Sequence, residues 1–313
     1  MAFGPADFPA GPLTKGLKAI FMKAYDEAKR SSILGRIATE VTSDSDSEDY
    51  SWLGAAPAVR EFLGERQARD LANFNYNIKN KTWENTIGVK RTDLEDNKLG
   101  MLTLRIQELA VKAAAYPEQL VMEFLTSALG SAAWPYLCYD GQGLIDTDHP
   151  APVGGSAQDN REGSTLAIAT LWVGITTMAN FRDDNNGMLG ISPDILLVEP
   201  YLEETARELV EDRGASTNTT AGAVLQKKGI EVLVSPYLWS STASVANGNW
   251  FLIDSKKPVR PLIYQVRSPV EFGSLEKDSE NGFMREVYYY GTRARYNIGS
   301  GYWPTIFGNA GAG

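Results

Sequence analysis

An α+β fold mounted on one long helix is what the sequence predicts, on three observations. From Leu99 to Leu129 apolar side chains recur at steps of three and four, the period of one helix face. Between Ile195 and Val234 two short apolar runs flank a helical pattern and a polar loop, the order of a small compact α/β lobe. From Trp250 onward the pattern becomes alternating and rich in aromatic residues, which suits strands.

The long helix is the most strongly specified element. Leu102, Ile106, Leu109, Ala113, Tyr116, Leu120 and Phe124 form a continuous apolar stripe, with Arg105, Gln107, Lys112 and Glu123 off it. At about 1.5 Å per residue the element is roughly 45 Å long, as long as a domain is wide. Pro117 predicts a kink near Tyr116, and Gly130 supplies the stop. Asp93, Glu95 and Asp96 precede the helix and suit its N-terminal dipole. The flanking charge pattern of a coiled coil is missing, so the helix reads as a backbone for other elements.

Before it, the first dozen residues are rich in Gly, Pro and Ala and read as mobile or extended. Leu13 to Arg36 fits a short amphipathic helix facing inward through Leu17, Ile20, Phe21 and Tyr25. Ser43–Ser51 (SDSDSEDYS) reads as a solvated linker. Pro57 to Leu71 fits another short helix around Val59, Phe62 and Leu63. Tyr76 to Ile87 has the composition of two strands around a turn at Asn80–Lys81, with Tyr76, Ile78 and Trp83 as large groups on a polar ribbon. The stretch from Trp52 to Gly88 has too few apolar residues for a core of its own. It reads as a projecting excursion that packs on something else, either another copy of the chain or the chain's own core.

After the long helix, Tyr136 to Gly155 is a loop dense in Gly, Asp and Pro. Thr165 to Phe181 fits a second helix, Ile195–Val198 a buried strand, Tyr201–Asp212 a helix begun at Pro200, and Ile230–Val234 a further strand. Gly214–Gly222 between them is a polar loop. Strands are expected at Trp250–Ile253, Arg260–Val266, Met284–Ala294 and Arg295–Ile298, and the tail from Gly308 is expected to be disordered.

With 313 residues, 43% hydrophobic and 22% charged, the chain can bury a sizeable core. No apolar run reaches the roughly 18 residues that a membrane helix needs, and the N-terminus lacks the pattern of a secretory signal. The single cysteine, Cys138, excludes an internal disulfide and fits a reducing cytoplasm. A net charge of −9 argues against sequence-specific nucleic-acid binding, which needs a basic surface, but not against enclosing nucleic acid.

Candidate chemistry is sparse. Cys138 and the only histidine, His149, lie near Asp140, Asp146 and Asp148. A nucleophilic pair needs thiolate and imidazole within hydrogen-bond reach, and a metal site needs more nitrogen or sulfur donors than this chain offers. A structural loop is the expected reading. Lys256, Lys257, Arg260 and Arg267 are read as strand-edge solvation rather than a phosphate site. No catalytic, cofactor or metal residues are assigned.

Four stretches bring a family into view: Ser51–Leu71 (SWLGAAPAVREFLGERQARDL), Asn80–Gly100 (NKTWENTIGVKRTDLEDNKLG), Cys138–Pro150 (CYDGQGLIDTDHP) and, more weakly, Asn249–Phe272. Through them the chain resembles the Mu-like major head subunit family, the major capsid proteins of tailed bacteriophages. The resemblance implies a Hong Kong 97-type fold. Residues 1–51 would be an N-terminal arm, 52–88 an extended E-loop, 89–164 a peripheral domain with the spine helix, 165–262 an axial domain, and 263–313 the return strands and tail. It further implies a self-assembling icosahedral shell of hexamers and pentamers around double-stranded DNA. The implied partners are a scaffolding protein and portal, a possible decoration protein and non-specifically contacted DNA, with no membrane and no cofactor. The implied location is the virion, by way of the host cytoplasm. Trp52, Tyr76, Ile78 and Trp83 are the expected contacts with neighbouring subunits. A tail-tube or decoration subunit is the alternative.

Overall fold

A computed structural model describes residues 12–50, 76–92, 99–128, 136–151, 154–184, 186–210, 228–238, 248–275 and 284–309. The expected helix at Pro57–Leu71, the acidic residues before the long helix, Gly130, Trp52 and the polar loop at 214–222 lie outside them.

The long helix, α3 (Leu99–Ala128), runs unbroken through Pro117. Among the described residues two helices precede it, α1 (Pro12–Ser31) and the single turn α2 (Leu34–Ile37), where the sequence suggested one helix over Leu13–Arg36. The break has a visible cause: Glu118 on α3 accepts hydrogen bonds from the Ser32 hydroxyl (2.7 Å) and the Ile33 amide (3.2 Å). These donors would otherwise be unsatisfied at the start of α2. The same carboxylate accepts from the Ser235 hydroxyl, so one side chain ties three parts of the chain together.

The stripe on α3 serves two cores. Leu102, Ile106, Leu109 and Ala110 pack with Leu17 and Phe21 of α1 and with Phe272, Tyr288 and Tyr290. Val121, Met122, Phe124, Leu125 and Ala128 join the main core instead.

The first core lies against a four-stranded sheet in the order β1-β9-β10-β4. Its strands are β1 (Ala38–Thr42), β9 (Leu262–Leu275), β10 (Val287–Ser300) and β4 (Lys81–Lys90). β1 runs parallel to β9, and the other pairs are antiparallel. Met284–Ala294 and Arg295–Ile298 were expected as two strands, but β10 is one strand. Its irregular step at Arg293–Tyr296 faces Pro269 in β9, where a missing N–H would otherwise interrupt the ladder.

The main core surrounds a five-stranded sheet ordered β5-β11-β8-β6-β7: β5 (Arg161–Glu162), β11 (Ile306–Asn309), β8 (Trp250–Ile253), β6 (Ile195–Val198) and β7 (Glu231–Val234). β6, β8 and β11 are buried throughout, as short continuous apolar runs predict. The expected disorder from Gly308 is corrected for residues 308 and 309. Gly308 pairs with Phe251 and Arg161, and the Asn309 amide donates to Gly248 O. The helix α4 (Ile168–Asn180) rests on this sheet through Gly174, where a Cβ would stand only 2.8 Å from Leu252 and Phe307. After β6, a 3₁₀ turn at Pro200–Leu202 leads into α5 (Glu203–Val210).

Ser43–Ser51 is not a linker over its described part. Ser47–Asp49 (β2) pairs with Asn77–Lys79 (β3), and Glu48 accepts from the Ser43 hydroxyl and the Asp44 and Ser45 amides. These bonds hold its carboxyl below the usual range. The residues are polar because their side chains close a turn.

Glu199 is fully buried, and among the described residues neither carboxyl oxygen has a hydrogen-bond partner of good geometry. Burial pushes its pKa above the ordinary carboxylate value, partly opposed by the Asn249 backbone amide. A carboxyl raised in the folded state favours folding when protonated, and its contribution is lost as pH rises above the unfolded value near 4.5. Glu199→Gln is therefore expected to stabilise the protein at pH 7, with the gain shrinking toward pH 4 in denaturant unfolding. Leu125→Ala, in the main core, should cost about 2–5 kcal/mol by the same measurement.

Candidate assembly surfaces

The sequence-predicted contact residues do not share one environment. Tyr76 and Ile78 are 7% and 3% exposed and pack with Tyr50 and Ile263 inside their own chain. The expected ribbon is not a hairpin, because β3 pairs with β2 while β4 joins β10. Residues 76–88 thus include sheet that the sequence assigned to the excursion.

What these residues build is a foot. The Tyr50 amide donates to Tyr76 O at 2.7 Å, so the chain leaves for residue 51 and returns from residue 75 at one point. A buried polar chain holds that point. The Tyr50 hydroxyl donates to Gln265 Oε1 (2.8 Å), and Gln265 Nε2 donates to Ile78 O and to Asn80 Oδ1. Asn80 Nδ2 then donates to the Ser43 hydroxyl and Ser45 O. On the other side the Ser300 amide donates to the Tyr76 hydroxyl at 2.6 Å. Burial of the Tyr50 and Tyr76 phenols pushes their pKa values far upward, so they act as neutral hydrogen-bonding groups. Gln265 and Asn80 were not legible in the sequence, since their partners are distant along the chain.

Trp83 is half-buried on β4. Its indole N–H donates to Tyr296 O at 3.0 Å, and its ring meets Tyr116 of α3 edge-on at 4.9 Å. It stands in the wall of a cleft of about 490 Å³ between α3 and β4–β10, floored by Ala113, Tyr116, Val270 and Ala294. A second depression of about 410 Å³, bounded by Ile87, Val89, Arg105 and Leu109, shares Asn85 and Lys112 with the first. The groove therefore runs along β4, the edge strand of its sheet. Away from the core, α3 exposes Met101 (64%), Leu104 (66%) and Val111 (48%). Steps of three and seven place them on one face, opposite the buried stripe. The sequence carried this signal as apolar residues off the inward register.

The residues with chemical potential are engaged structurally. Burial pushes the Cys138 thiol well up, away from a reactive thiolate, and its Sγ lies 3.5 Å from Gly301 O. His149 is fully buried, with Nδ1 2.7 Å from Asp140 Oδ2, Nε2 3.2 Å from Asn160 Oδ1, and its ring stacked on Trp303 at 3.9 Å. Both nitrogens are engaged away from Cys138, so the two make no nucleophilic pair. Among the described residues no group of three His, Cys, Asp or Glu could hold a metal ion, and no helix is long and apolar enough to cross a membrane. Lys257, Arg260 and Arg267 donate to backbone carbonyls of Leu189, of Gly35 and Ala38, and of Ser43. They fasten loops.

The family described as "Mu-like prophage major head subunit gpT" matches residues 11–165, 159–238 and 239–312. The Mu-like prophage FluMu major head subunit of Haemophilus influenzae is 28% identical over 294 residues, which are 93% of this chain and 71% of that protein. The major capsid protein of Escherichia phage Mu is 25% identical over 86% of this chain, which spans 63% of the Mu protein. Among solved structures, the procapsid of bacteriophage JBD30 is similar with a TM-score of 0.55 and 28% identity, covering 96% of this chain and 75% of that one. The virus-like particle from Pyrococcus furiosus matches in fold alone, with a TM-score of 0.55 at 11% identity, covering 94% of this chain and 98% of that one.

Gln265→Leu is expected to lower stability by about 1–3 kcal/mol, because it removes the acceptor of the Tyr50 hydroxyl bond and the donor to Ile78 O and Asn80 Oδ1 inside the fold. Urea unfolding at neutral pH measures this.

Proposed function

This chain belongs to the Mu-like prophage major head subunit family and is a major capsid protein of a tailed phage with a Hong Kong 97-type fold; from that premise, we propose that its copies associate into hexamers and pentamers closing an icosahedral head around double-stranded DNA. The exposed Met101–Leu104–Val111 face carries this reading from the geometry, since an apolar stripe on a rigid helix gains free energy when a neighbouring subunit covers it. Individual contacts need only be modest, because a closed lattice repeats each of them around every subunit.

In this reading residues 1–51 are the N-terminal arm, 52–88 the E-loop, 89–164 the peripheral domain around α3, 165–262 the axial domain and 263–313 the return strands. The arm is not a free extension over its described part, since α1 lies along α3 and β1 enters the sheet. Trp52 and Trp83 remain the proposed contacts between subunits, Trp83 through the cleft it borders. Tyr76 and Ile78 take a supporting part by fixing the foot of the loop. A scaffolding protein, a portal and a decoration protein are the partners this role calls for, with assembly in the host cytoplasm. The net charge of −9 suits a shell that holds DNA without gripping it.

Leu104→Glu tests the helix face. Sedimentation and negative-stain electron microscopy should find loss of shells and rings, while fold stability stays within about 0.5 kcal/mol, as for other surface changes. Normal shells would overturn the assignment. Trp83→Ala should lower stability by about 1–3 kcal/mol through the lost Tyr116 contact and Tyr296 bond. Shell yield should fall further than in a core variant of equal stability.

A further inference from the structure

We propose that Asp140 and His149 together hold one proton more than an ionised carboxylate and a neutral imidazole carry, and that this proton fastens the 136–162 loop to the 303–309 segment.

The argument starts from Asn160, whose orientation is fixed by four bonds. Its Nδ2 donates to Leu144 O (2.9 Å), Ile306 O (3.2 Å) and Trp303 O (3.4 Å), and its Oδ1 accepts from the Asp146 amide (2.8 Å). A flipped amide would set N–H against N–H and carbonyl against carbonyl. Oδ1 therefore faces His149 Nε2, and Nε2 must carry a hydrogen to bond it. On the other side of the ring, Asp140 Oδ2 stands 2.7 Å from Nδ1, a separation that needs a proton between the two atoms. A neutral ring beside an ionised Asp140 has one N–H for two acceptors. Two protons satisfy both contacts, whether as imidazolium with carboxylate or as neutral ring with carboxylic acid.

The surroundings favour keeping both. The His149 and Asp140 side chains are 0% and 4% exposed, so water cannot replace a missing donor. The ring lies flat on the Trp303 indole at an interplanar angle of 6°. Asp183 and Asp184 border the adjoining cavity with Asp140 and add negative charge, while the Arg182 guanidinium is drawn to Asn186 O. Cys138, Tyr139 and Tyr302 are held neutral by burial. The Asp146 carboxylate accepts from the Gly143 and Thr147 amides.

Without the second proton a lone pair would be aimed at an acceptor. The cost falls where the loop meets Trp303 and β11, an interior strand of the five-stranded sheet.

His149 is the chain's only histidine, so ring-¹⁵N histidine labelling reads it without assignment. Solid-state NMR of assembled particles at pH 7.5 should find Nε2 protonated and a proton shared at Nδ1. An unprotonated Nε2 would overturn the proposal. Asp140→Asn supplies an amide donor to Nδ1, so the neutral ring suffices. In Asp140→Asn the Nδ1 signal should move to that of an unprotonated acceptor nitrogen while Nε2 stays protonated. Identical ring-nitrogen spectra in the two proteins would sink it, whatever becomes of the assembly assignment.

Discussion

The architecture depends on one helix being longer than either core it serves. The 30 residues of α3 extend past the α1-covered sheet at one end and past the main core at the other. The two halves of its stripe therefore bury against different partners, and the helix becomes the rigid member that fixes their relative position. Glu118 sits near the changeover and gathers donors from the N-terminal segment and from Ser235. A bidentate Arg36–Glu231 pair at 2.5 and 2.6 Å ties α2 to β7, although its exposure limits its contribution to stability. Rigidity suits a subunit whose copies must repeat the same contacts around a closed surface.

Much of this was legible in the sequence, for reasons that differ by element. α3, α4, β6 and β8 declare themselves because their period and their burial coincide. β10 did not, because its bulge breaks the alternation that marks a continuous strand. Ser43–Asp49 looked like a linker because its partners, Asn80 and Arg267, are far away in sequence and no local pattern announces them. Asn309 looked like tail because a Gly-Asn pair resembles loop composition whatever sheet it enters.

The contact residues show the same division. Trp83 was visible as a large group on a polar strand, and it does border a cleft. Tyr76 and Ile78 looked equivalent to it, but strand alternation cannot tell a face turned to a neighbour from one turned to the chain's own core. The apparently reactive residues are a separate case. His149, Cys138 and the basic side chains near residue 260 look like chemistry in a sequence, yet in the fold Cys138 and the basic groups meet backbone carbonyls and His149 meets Asp140 and Asn160, as polar groups in irregular segments must find partners.

β11 carries a consequence for the order of events in the cell. It lies between β5 and β8, and β10 lies between β9 and β4, so both sheets draw an interior strand from the last thirty or so residues. On a nascent chain the four-stranded sheet cannot close until synthesis has passed residue 300, nor the five-stranded one until it has passed residue 309. A chain short of these points holds β8 without its β11 neighbour, and α3 without much of its sheet. The two cores thus close on the strands that are made latest, and a chain stopped short of residue 309 leaves bare the edge of β8 that β11 covers.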